Sequence, residues 1–168
     1  MENEKDFQTR TNESAHAAIA SMRDDIDALE HARECNGKTA NGRTCKRGSE
    51  TRTFTVEGRK IKQLLHSSPE AWHDEDIARE QIEQGHYGVT VRSGWTNPGE
   101  PLDAEEYCVT LGSGGPASRI TGDLDRGSPT TANYEFQDWF KPWTPANDLS
   151  QDEEATLLDW VGHLYFGD

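Results

Sequence analysis

No run of this sequence approaches the roughly 20 apolar residues that a membrane-spanning helix needs. The opening residues, MENEKDFQTRTNES, also lack the apolar core of a secretory signal. Hydrophobic residues make up only 32% of the 168, which predicts a modest core and a part of the chain without stable structure. Cysteine is scarce too: three residues, an odd number, supply no disulfide framework. These shortages argue against a membrane protein and a secreted disulfide scaffold. They predict a soluble protein of a reducing, cytoplasmic compartment.

Positive charge is the next shortage. Seventeen lysines and arginines face 31 acids, a formal charge of −14. Residues 1–34 hold nine acids and four bases, residues 35–63 two and eight, and residues 64–168 twenty and five, so the segments carry −5, +6 and −15. A body this negative repels nucleic acid and attracts basic protein surfaces, or serves only solubility or life in high salt. Direct nucleic-acid contact is expected only from the basic segment 38–62, which spans Lys38, Arg43, Lys46, Arg47, Arg52, Arg59, Lys60 and Lys62.

Phosphate-binding glycine loops are missing. Gly112-Ser113-Gly114-Gly115 lies between two alternating apolar runs and leads through Pro116 into a second strand. A phosphate cradle needs a helix there, so the glycines read as the bend of a hairpin. Gly37-Lys38-Thr39 resembles the end of a nucleotide-binding loop, but Ala32 stands where that loop needs its first glycine, and a helix precedes it instead of a strand.

What is present is periodicity. Ile19, Met22, Ile26 and Leu29 recur at three and four and predict a helix over 14–34, preceded by a disordered segment 1–13. Residues 35–50 read as a loop, and the basic segment 35–63 as flexible. Residues 56–66 suit a short helix or a small hairpin, with Ile61, Leu64 and Leu65 favouring the helix. Ser68-Pro69 predicts a helix start and Gly85 its end, with Trp72, Ile77 and Ile82 buried. Four runs then alternate with period two, around Val89, Val109, Ile120 and Tyr134, joined by short Gly- and Pro-bearing connections. The chain closes on a helix capped by Ser150 and Glu153, with a stripe of Leu157, Val161 and Leu164 widened by Leu158 and Tyr165. The predicted fold is α+β: one domain, 14–168, in which N-terminal helices and a C-terminal helix pack on one face of a four-stranded antiparallel meander.

The strand alternation also defines a polar face. With Tyr87, Tyr107, Ile120 and Tyr134 turned to the core, Thr90, Arg92, Thr110, Arg119, Asp123, Glu135 and Gln137 share the other side. The arginines there can pair with Asp123 and Glu135 across strands. That face is either a solvated surface or a binding surface for a partner or small ligand. Trp139, Phe140 and Trp143, interrupted by Pro142 and Pro145, cannot all enter one core, so Trp139 and Trp143 join the candidate binding residues. His31, Cys35 and Cys45, with His66 as a fourth ligand, form a candidate zinc set, although Cys-x9-Cys lacks the short paired knuckle of common zinc sites. Cys108 falls mid-strand and matches no nucleophile signature, and the carboxylates near the strands show no spacing that selects a catalytic pair. No catalytic residue is assigned.

Taken together, VRSGWTNPGE, EEYCVTLGSGGPASRITGDLD, YEFQDWFKPWT and the final LYFGD resemble a family of small proteins encoded by bacteriophages, prophages and plasmids. That family carries VRSGW…PG, EEY…L.TGGPA.RI.GEL, YQDW..PWT and YFG motifs. The resemblance covers about residues 72–168. The chain departs from the pattern at GSGGP and in its basic 35–63 segment. The resemblance implies a mobile-element setting in a bacterial host cell and brings no catalytic residues with it. Charge and setting together predict an accessory protein that binds a host protein or complex with a basic surface, as an anti-defence inhibitor mimicking DNA charge would. The alternative is a small enzyme or small-ligand binder using Arg92, Arg119, Asp123 and Glu135.

Overall fold

A computed structural model describes residues 4–35, 45, 51–56, 59–64 and 67–167, with residues 51–56 and 59–64 described as backbone. The fold is α+β. Among the described residues three helices and eight strands occur: α1 (Glu4–Glu34), β1 (Thr51–Val56), β2 (Arg59–Leu64), α2 (Glu75–Gln84), β3 (Gly88–Arg92), β4 (Glu106–Gly112), β5 (Ala117–Asp125), β6 (Ser128–Pro129), β7 (Asn133–Gln137), β8 (Thr144–Pro145) and α3 (Gln151–Gly162). None of these helices is long and apolar enough to cross a membrane. The chain divides into two compact units, one of residues 1–19 and 84–168, the other of residues 20–83.

Helix α1 starts at Glu4, not at Ser14, so residues 4–13 lie within it. The apolar stripe begins earlier than the aliphatic residues alone suggest. Phe7, Thr11, Ala15 and Ile19 are buried at spacings of four, and the Thr11 hydroxyl donates to the Phe7 carbonyl at 3.1 Å. A threonine that satisfies its own hydroxyl inside the helix can occupy an apolar position without an unpaired donor.

In the first unit the sheet order is β3-β4-β5-β7-β8, with β6 paired to β5. The four long strands are those the alternation predicts, and they pair antiparallel in chain order. The expected count of four is short by the two-residue strands β6 and β8, which are too brief to carry a period. The β4–β5 bend places Gly114 at a φ of 110°, a conformation that glycine takes without strain. Val89, Val109, Ile120 and Tyr134 stand opposite one another across four strands. Val109, Ile120 and Tyr134 are buried, together with Tyr107 and Phe136. Phe7 of α1 meets Phe136 at 5.8 Å between ring centroids, and Phe166, beyond α3, meets Tyr107 at 4.8 Å. Tyr87, expected in the core, precedes β3 at the open edge of the sheet and is exposed.

Helix α3 carries the expected capping box: Ser150 Oγ accepts from the Glu153 amide, and the Glu153 side chain accepts from the Ser150 amide. Its buried stripe is Leu157, Trp160, Val161 and Leu164, while Tyr165, expected to widen it, is exposed. Tyr165 lies beyond the last helical residue, where the 3.6 period no longer sets its direction.

In the second unit β1 and β2 form an antiparallel hairpin with Phe54 opposite Ile61. Among the described residues of 56–66 the favoured helix does not form, and the alternative, a small hairpin, does. The β-branched, alternating TRTFTV outweighs the aliphatic cluster that follows. Leu65 and His66 lie outside the described residues. The expected helix from Pro69 begins instead at Glu75, where Asp74 accepts from the amides of Asp76 at 3.0 Å and Ile77 at 3.3 Å. An aspartate cap with two amide partners outcompetes the earlier Ser-Pro signal. Ile77 is exposed, while Trp72 and Ile82 are buried as expected.

Candidate functional site

The residues with metal-ligand chemistry converge in the second unit. His31 and Cys35 are four apart, so α1 directs both side chains to one face at its C-terminal end. The Cys35 amide still donates to the His31 carbonyl at 2.9 Å, which extends the helical hydrogen bonding to Cys35. His73 comes from the turn before α2. Its amide donates to the Glu70 carbonyl at 2.9 Å, and its neighbours Ala71 and Trp72 are buried and anchor the turn. Cys45 is the fourth member. One ligand atom from each of His31, Cys35, Cys45 and His73 lies within 4.8 Å of all the others. Cys35 Sγ is 3.2 Å from His73 Nδ1, and Cys45 Sγ is 3.5 Å from His31 Nε2. All four side chains are half-buried. This His/Cys/Cys/His cluster can hold a metal such as zinc.

Three of the four residues are those the sequence singles out. The fourth, His66, lies outside the described residues. His73 was missed because it sits 28 positions beyond Cys45. The available signal was Trp72, a large apolar residue that pins the position beside it.

The polar sheet face occupies the first unit. Arg92 stands opposite Glu106, Thr90 opposite Cys108, and Arg119 opposite Glu135. Both arginines, with Glu106, Asp123, Asn133 and Glu135, line one open depression of about 490 Å³. Arg119 Nε donates to Glu135 Oε2 at 2.6 Å, and its guanidinium carbon lies 4.2 Å from the centre of the Trp143 ring. Arg92 is ion-paired with Glu106, not with Asp123. Asp123 accepts instead from the Thr131 hydroxyl at 2.9 Å. Direct opposition in the strand register selects these partners, and it could not be read before the register was known. Burial first, and then the Asp123 carboxylate, push the Tyr107 phenol above its ordinary pKa, which keeps it a protonated donor to the Thr131 carbonyl at 2.7 Å.

Gln137 and Trp139 mark the end of this face. The Gln137 amide group donates to the Lys141 carbonyl at 3.0 Å. Trp139 lies over Gly115, where an added Cβ would strike its indole, yet most of its surface is exposed. Phe140 and Trp95 are fully exposed. The Trp139 amide, and then Arg10, hold Asp138 below the usual carboxylate range. Cys108, half-buried and flanked by Thr90 and Thr121 in the register, faces no histidine there.

No protein-family model, curated protein or solved structure matches the chain.

Proposed function

We propose that the protein is an acidic accessory protein of a mobile genetic element that acts by binding a host protein or complex with a basic surface, as an anti-defence inhibitor imitating the charge of DNA. The observation that carries this reading is the division of charge. The unit built on the six-stranded sheet, residues 1–19 and 84–168, holds 18 acids and six bases, or −12, while residues 20–83 hold 13 acids and 11 bases, or −2. A field of one sign on one unit steers that unit to a basic cleft and away from nucleic acid. Trp95, Trp139 and Phe140, exposed on the same unit, supply the apolar anchors that turn a steered encounter into a held one.

The test is retention of a bacterial lysate on immobilised protein. The reading expects a nucleic-acid-binding partner that is retained at about 0.1 M salt, released as screening shortens, and displaced by duplex DNA. Trp139→Ala with Phe140→Ala is expected to lower its affinity about tenfold or more. Partners indifferent to both salt and DNA would overturn the reading.

A small-ligand site is the second reading, favoured by the depression that Arg92 and Arg119 line together. Each arginine already holds a glutamate, so an anionic ligand would have to displace a carboxylate. This makes the depression a weaker recommendation than the charge division.

A further inference from the structure

Beyond the binding reading, and independent of it, we propose that His31, Cys35, Cys45 and His73 form a structural zinc site that staples the C-terminal end of α1 to the turn before α2.

Four ligand atoms meet from three separated parts of the chain. Ordinary hydrogen bonding accounts for two pairs, Cys35 with His73 and Cys45 with His31. It does not require the two pairs to converge on each other. A tetrahedral ion does. With metal–sulfur bonds of about 2.3 Å and metal–nitrogen bonds of about 2.0–2.1 Å, the sulfur–nitrogen edges of the tetrahedron are about 3.6 Å. The two contacts of 3.2 and 3.5 Å are near that edge, and the 4.8 Å limit on every pair admits the remaining ones.

The donor set identifies the ion. Two thiolates and two imidazoles select zinc over the hard cations, which take oxygen. Two thiolates also neutralise a divalent charge, so a half-buried site carries no net charge. With four protein ligands no position is left for a reacting water, so the site is structural and not catalytic.

The rest of the unit shows what the ion would do. The described buried apolar residues of 20–83 include Met22, Ile26, Leu29, Trp72 and Ile82, with Ala28, Ala32, Ala71 and Ala78 beside them. Alanines bury little area, and a metal bound between the end of α1 and the turn before α2 would add folding free energy there. The cluster joins residues 14, 28 and 38 positions apart: Cys45 to His31, His73 to Cys45, and His73 to Cys35. It therefore closes long loops.

The test uses the full chain, purified under reducing conditions, stripped by chelator and titrated with cobalt(II). The expected result is saturation at one equivalent, with the intense visible bands of tetrahedral cobalt, an ultraviolet thiolate-to-metal charge-transfer band, and displacement of both by zinc. Cys35→Ser, Cys45→Ser and His73→Ala should each weaken binding at least tenfold, while Cys108→Ser and His66→Ala leave it intact. His73→Cys should keep tetrahedral cobalt and strengthen the charge-transfer band, a readout that survives if a truncating variant fails to fold. A weak octahedral spectrum without charge transfer would overturn the site. Loss of binding in His66→Ala with retention in His73→Ala would overturn the assignment of its fourth ligand.

Discussion

The imidazole of His16 on α1 lies 2.6 Å from Glu153 on α3, the same carboxylate that completes the α3 capping box. Its other ring nitrogen is 3.3 Å from Asp148. Burial disfavours the charged ring, but the Glu153 and Asp148 carboxylates outweigh it, and the His16 pKa is raised. Burial likewise opposes ionisation of Glu153. The Ser150 amide and hydroxyl, with His16, overcome it and hold the carboxyl at about 2. The bridge joins the first and last helices of the sheet unit, and its strength depends on pH.

His16 has a folded-state pKa above its ordinary 6.5, so its contribution is complete below 6.5 and is lost as pH rises through the folded value. Glu153 has a folded-state value below its ordinary 4.5, so its contribution is complete above 4.5 and is lost as pH falls through about 2. The pair therefore stabilises most between the two ordinary values. Urea unfolding of wild type and His16→Ala should differ by about 1 kcal/mol near pH 5.5. The difference should shrink by pH 9. A penalty that stays constant from pH 5.5 to 9 would show that the bridge does not form.

Gly122 predicts a backbone effect. Tyr107 stands opposite it, and a Cβ at position 122 would strike the Thr131 carbonyl and press on the Tyr107 ring. Thr131 cannot withdraw without losing the Tyr107 hydroxyl and its own bond to Asp123. Gly122→Ala should cost about 2 kcal/mol or more in urea unfolding. Gly162→Ala, with nothing near its added methyl, should change stability by about 0.5 kcal/mol or less.

Arg119 is held by charge on one side and by an aromatic ring on the other. Arg119→Lys keeps the charge and loses the guanidinium contact with the Trp143 ring, so a double-mutant cycle between positions 119 and 143 should give a coupling of about 0.5–1 kcal/mol. Additive effects would mean that the contact contributes nothing.

On the zinc proposal, chelation should loosen one region first. Amide hydrogen exchange of chelated protein should accelerate at the last turns of α1 and in the turn that carries His73, and readdition of zinc should restore protection there. Exchange indifferent to chelation would mean that the cluster is held by packing alone.

Much of the sheet was legible because period two is a property of adjacent residues: Tyr107, Val109 and Leu111 declare a strand without reference to anything distant. The cap at Ser150 and Glu153 was legible for the same reason. The start of α1 was not, because Phe7 and Thr11 belong to the stripe only once the threonine hydroxyl is seen to bond within the helix. The pairing of 51–56 with 59–64 was legible only as one of two alternatives, because a cluster of aliphatic residues suits a helix or a strand equally well. The partner of Arg92 depended on strand register, a relation between residues 14 apart in sequence. His73 is the clearest case. Three members of the His/Cys cluster could be suspected from their proximity along the chain, but the fourth is brought in by a turn anchored on Trp72.

The measurement that tests the account most directly is X-ray absorption at the zinc edge on protein expressed with zinc and purified without chelator. The account predicts about one zinc per chain, with two sulfur neighbours at about 2.3 Å and two imidazole nitrogens at about 2.0–2.1 Å. A shell of oxygen neighbours alone, or zinc far below one equivalent, would contradict it.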